Sequence, residues 1–160
     1  MKTTKNIARE VNLTSTPCPM GQFSFADSFE IALDRRLLAK EAAISAFANS
    51  PDWVRHLMRL RNIMVAPFGL VHGQSELAEH QAQIGIFPVV SEAENQIILG
   101  FNDKHLDFRV LVASSSETGN HIVTATTWVK THNLLGRAYL FTIKRFHKII
   151  MKSALNSIAA

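Results

Sequence analysis

From Gln22 onward hydrophobic and polar positions alternate: Phe23, Phe25, Phe29 and Ile31 fall on one face, Ser24, Ala26, Ser28 and Glu30 on the other. A period of two predicts a β-strand. Asp27 shares the register of the phenylalanines. Two readings follow: a partnered, half-buried carboxylate in an apolar layer, or a bulge near Ala26-Asp27 that turns it outward, since an unpaired buried carboxylate is costly. Leu37 to Phe47, rich in Ala, Leu, Lys and Glu, predicts a helix. A second helix is expected to start at Ser50-Pro51-Asp52, with Ser50 as N-cap, Pro51 in the first helical position and Asp52 facing the helix dipole. Trp53, Val54, Leu57 and Met58 carry its apolar side.

After a polar connection over 71–81, strand-like runs recur at about 83–90, 95–102, 105–114 and 121–131. Turn signals at Ser91-Glu92-Ala93-Glu94, Asn102-Asp103 and Ser116-Glu117-Thr118-Gly119-Asn120 divide them, and such short connections favour antiparallel neighbours. Leu134 to Ser157 reads as one amphipathic helix with Asn133 as N-cap. Leu135, Tyr139, Ile143, Phe146 and Ile150 form its apolar side, and Arg137, Lys144, Lys148 and Lys152 an opposing basic stripe. Gly136 permits close approach to the sheet or a kink. The order predicts an α+β fold: a curved antiparallel sheet of five strands packed on a long C-terminal helix, with two short helices after the first strand. Residues 1–21 are expected to be a flexible lead-in and 22–160 a single domain.

The run from Asn102 to Val112 is the most distinctive chemistry. Alternation puts Asp103, His105, Asp107 and Arg109 on one side of a strand and Leu106, Phe108, Val110 and Val112 on the other. An imidazole beside a carboxylate can act as acid or base, and Arg109 could hold an anion. The competing readings are a solvated outer sheet face, or a structural network in which Arg109 ties its strand to a neighbour or to Asp27. Asn133 and Arg137 stand at the N-terminus of the last helix, where free N–H groups suit an anion, beside His132. His147 reads as a satisfied, half-buried histidine.

Composition narrows the classes. A 160-residue chain that is 47% hydrophobic and 19% charged is a globular sequence long enough to bury a core. Cys18, its one cysteine, excludes a disulfide framework, and His72 and His80 lack a neighbouring third ligand, so neither a metal nor a cofactor is expected. Met1 to Glu10 lacks the apolar core of a secretory signal, and no run suffices to span a membrane, which points to a cytoplasmic protein. The basic charge is concentrated after residue 117, where six Lys and Arg side chains meet no Asp or Glu. Aromatic residues are not interleaved with those lysines as a nucleic-acid strand would require, so nucleic acid is not an expected partner. Phosphate-binding glycine loops, the esterase elbow and the zinc-peptidase helix are all absent.

Ala26-Asp27-Ser28-Phe29-Glu30, Trp53 to Asn62, Asp103 to Arg109, His132 to Tyr139 and Phe146-His147 together resemble an uncharacterised bacterial family, a domain of unknown function, over about residues 22–155. More distantly, the element order is similar to the helix-grip fold of the START and birch-pollen-allergen superfamily, whose curved sheet of typically seven strands grips a C-terminal helix around an apolar cavity. That resemblance implies an apolar or amphipathic small molecule held between sheet and helix; the candidate ligand-binding residues, read from the strand alternation and the helix N-terminus, are Asp27, His105, Asp107, Arg109, Asn133 and Arg137. Two other functions stay open. One is a small cyclase, hydrolase or isomerase using His105, Asp107 and Arg109; the other is an interaction module using the basic helix. Oligomeric state is not legible.

Overall fold

The computed structural model describes residues 6–13, 15–48 and 82–160, together with Asp52, Arg55 and Arg59. Seven strands and two helices are defined there: β1 (Arg9–Val11), β2 (Phe25–Leu33), α1 (Ala39–Phe47), β3 (Gln83–Ile84), β4 (Phe87–Ala93), β5 (Gln96–Asn102), β6 (Leu106–Glu117), β7 (Asn120–Thr131) and α2 (Leu134–Ile158). The strands form one antiparallel sheet in the order β1-β2-β7-β6-β5-β4-β3. The second helix expected from Ser50 falls, apart from the three helical residues Asp52, Arg55 and Arg59, outside the described residues, as do His72 and His80.

The count of five strands is corrected to seven for two local reasons. Gly85, at φ 61°, turns the chain within the expected 83–90 run and splits it into β3 and β4. β1 arises inside the lead-in, paired to β2 with Arg9 opposite Glu30, and Lys148 of α2 reaches Glu10 at 2.9 Å. The β6–β7 hairpin closes on Thr118-Gly119, both at positive φ, the geometry a two-residue turn needs to match strand twist.

The core lies between the sheet and the two helices. Phe29 and Ile31 of β2, Val123 and Ala125 of β7, Val110 and Val112 of β6, and Ile97 and Leu99 of β5 meet Ala39, Ala42, Ala43 and Phe47 of α1 and Met151, Leu155 and Ile158 of α2. Alanines on α1 let that helix sit close to the strands. The far side of the sheet is buried at its centre as well, at Ser28, Thr126, Trp128 and Leu111, with Ser28 and Thr126 hydroxyls bonded at 2.9 Å. A solvated outer face is therefore not what the central strands present.

Burial along α2 is uneven. Gly136 is buried, and Met151, Leu155 and Ile158 are buried, yet Tyr139, Leu140, Ile143, His147 and Ile150 on the same side are only half-buried. Phe25 of β2, against this helix, is half-buried too, as are Phe101 and Phe108 on the same face of the sheet farther along. Phe146, expected on the inner side, is 45% exposed. The inward direction of the helix is set by Gly136, His147 and Met151, a line rotated from the one that summed hydrophobicity selects.

Candidate functional site

The β2–β7 ladder runs in unbroken register from Phe25 opposite Val129 to Leu33 opposite His121, so no bulge turns Asp27 outward. Its side chain lies in the layer beneath α2, 5% exposed, and its Oδ1 lies 3.1 Å from Nε2 of His147. The His147 ring meets Phe25 edge-on at 6.1 Å between centroids. Directly across the ladder from Asp27 stands Thr127, buried on the same face. Asp27 Oδ2 and Thr127 Oγ1 are both buried, and among the described residues neither has a hydrogen-bond partner. Neighbours across strands have Cβ atoms roughly 4.5–5.5 Å apart, so the two side chains are adjacent on this face of the sheet.

A second polar group gathers where β6 begins and α2 starts. Asp103, Lys104 and His105 form a turn rather than strand, with the Asp103 amide donating to the Leu106 carbonyl at 3.0 Å. His105 thus precedes the alternation that was expected to align it with Asp107 and Arg109. Asn133 Nδ2 donates to His105 Nδ1 at 2.7 Å, while its Oδ1 accepts from the Gly136 amide at 3.0 Å. With Nδ1 accepting, the ring proton sits on Nε2, which is buried and has no partner among the described residues. Asp107 pairs with His132, Nε2 to Oδ1 at 3.0 Å, and accepts from the Asp103 amide at 3.2 Å.

Arg109 turns elsewhere. Its guanidinium donates to the carbonyls of Phe108 and Phe101 at 2.8 and 3.2 Å and to Asn102 Oδ1 at 2.8 Å. The stem crosses over Gly100, its ladder partner, where a Cβ would lie 3.0 Å from Arg109 Cδ. His105, Asp107 and Arg109 accordingly serve three separate contacts, and the set expected for acid–base catalysis does not converge. Arg109 ties its strand to β5, as the network reading held, and Asp27 is on the opposite face.

Arg137 is exposed on the first turns of α2. Along the stripe Lys148 pairs with Glu10, and Lys144 lies over the Phe25 ring at 5.8 Å. Among the described residues no group of three or more His, Cys, Asp or Glu side chains could hold a metal ion. Nor is any described helix long and apolar enough to cross a membrane. Of the residues that complete these clusters, His147 carried a correct but passive expectation, His132 was noted only for its position, and Thr127 gave no signal within the Thr124-Ala125-Thr126-Thr127 run.

Asn133 makes both of its contacts at once, and its loss is measurable. Asn133→Ala is expected to lower stability in urea unfolding by about 1 kcal/mol for the cap alone. Asn133→Asp keeps the cap and loses only the donor to His105, so it separates the two contributions.

Architecture and site define an α+β protein whose antiparallel sheet is covered on one face by α1 and the C-terminal helix, with a buried Asp–His pair between the layers. The chain belongs to the family described as "Protein of unknown function (DUF2867)", which it matches over residues 19–154. Comparison with curated proteins and with solved structures found no match.

Proposed function

We propose that this is a cytoplasmic protein of helix-grip type that binds an apolar or amphipathic small molecule between the sheet and α2. The observation that carries the reading is the uneven closure of that layer. From Met151 on, the inward side of α2 is sealed; from Tyr139 to Ile150 it is half-buried, with half-buried Phe25 of β2 against His147 and Lys144. Apolar side chains left partly open on both facing surfaces are what a guest would cover. The sheet order supports the fold assignment, since β2, the first long strand, lies beside the last strand, and α2 packs across this pair.

Thermal unfolding with 1-octanol as probe tests the reading. At about a hundred times its dissociation constant, a ligand specific for the folded state adds about 2.7 kcal/mol. For a domain of this size Tm should rise by roughly 5–10 °C. Ile143→Trp, which fills the half-buried stretch, should remove the shift while leaving the probe-free protein folded. A Tm that never rises with 1-octanol, or rises equally in Ile143→Trp, overturns the proposal.

A further inference from the structure

We propose that the Asp27–Thr127 pair is the head-group site of this layer and selects a ligand carrying a hydroxyl. The inference rests on the binding reading above and adds the chemistry of the polar end. Asp27 and Thr127 are 6% and 3% exposed, so water is largely excluded from both side chains. Each nonetheless retains an oxygen with no partner among the described residues. Buried polar atoms are nearly always satisfied, and a native exception calls for a cause such as an absent ligand. The two atoms are also complementary to one group. A carboxylate oxygen only accepts, while a threonine hydroxyl donates or accepts. A ligand hydroxyl donates its proton to Asp27 Oδ2 and accepts from Thr127 Oγ1, satisfying both at once.

His147 occupies the other oxygen of Asp27 and fixes the carboxylate plane, leaving Oδ2 as its free acceptor. Phe25 beside His147, with Phe108 on the same face of the neighbouring ladder, supplies an apolar wall for the remainder of the molecule. An ether of the same length offers no proton to Asp27. A carboxylate head brings a second acceptor and a like charge, so it is excluded.

The test is calorimetric titration of the protein with 1-octanol, octyl methyl ether and octanoate. A hydrogen bond to a charged acceptor should separate 1-octanol from its ether by about tenfold or more in affinity, with octanoate weaker still. Thr127→Val is the decisive variant. It removes an unsatisfied buried hydroxyl without changing shape, so Tm of the ligand-free protein should hold or rise while the preference for 1-octanol over the ether shrinks. Opposite movement of stability and selectivity is not expected of a merely structural threonine. Asp27→Asn, which can turn a donor toward the ligand, should weaken the discrimination against octanoate. Equal affinities for alcohol and ether sink the head-group assignment and leave the binding reading standing. Failure of all three probes to bind removes both.

Discussion

Replacing His147 by alanine is expected to destabilise the protein by about 3–5 kcal/mol, because it leaves a buried carboxylate with no partner. The Asp27 side chain is 5% exposed and, among the described residues, His147 is its one hydrogen-bonding side chain, at 3.1 Å. Loss of the imidazole also removes the edge-on contact with Phe25, a smaller effect of roughly 0.5–1.5 kcal/mol. The discriminating experiment is a double-mutant cycle read by urea unfolding. If burial of the charge dominates, Asp27→Leu combined with His147→Leu should recover most of what His147→Ala loses, since a buried ion pair replaced by packed apolar groups is often neutral or stabilising. A double variant as unstable as His147→Ala would show instead that the imidazole acts through packing alone. The outcome bears on function: a pair that costs stability relative to an apolar substitute is retained for something other than the fold.

How far this arrangement could be read from sequence depends on the distance over which each feature is determined. Period-two alternation placed Asp27 among the phenylalanines, and that is where it lies, because strand side chains alternate whatever their chemistry. Its partner was beyond reach, since His147 is 120 residues away and on a helix whose inward direction is set by packing. The wheel centred on apolar residues pointed Phe146 inward; the real axis passes through Gly136, His147 and Met151, a small, a polar and a flexible residue that hydrophobicity alone does not weigh. His105 failed for a different reason. Three residues of turn, Asp103 to His105, delay β6 to Leu106, so a pattern that looked continuous with Asp107 and Arg109 begins after it. β1 had no hydrophobic signature to find, because three edge residues held by backbone pairing need none. Likewise, which threonine of β7 is satisfied is decided across the ladder: Thr126 faces Ser28 and bonds it, while Thr127 faces Asp27 and does not.

Gly136→Ala should be more damaging than any surface change, although alanine is the better helix former by about 1 kcal/mol. A Cβ at this position would lie 2.1 Å from the His105 carbonyl oxygen and 3.0 Å from its carbon. Both are backbone atoms, and the same oxygen accepts the His132 amide at 2.9 Å, so nothing flexible can swing aside. The first turn of α2 would have to lift from the turn before β6, breaking the 2.7 Å bond between Asn133 and His105. A loss of about 3 kcal/mol or more is expected in urea unfolding, at the upper end of overpacking costs. Gly21→Ala is the matched control: at φ 78° it is strained, but nothing lies within 4 Å of the new Cβ, and its cost should stay near 1–2 kcal/mol, about what a left-handed residue requires. Equal effects at the two positions would refute close approach as the reason for Gly136. The contact also has a role beyond stability. Gly136 pins one end of α2 and Met151 to Ile158 pin the other, so the half-buried stretch between them is held at a set height above Asp27 and Thr127. Lifting the first turn should therefore weaken 1-octanol binding in whatever fraction of Gly136→Ala remains folded, coupling the geometry of one glycine to the site beneath His147 through the rigidity of the helix.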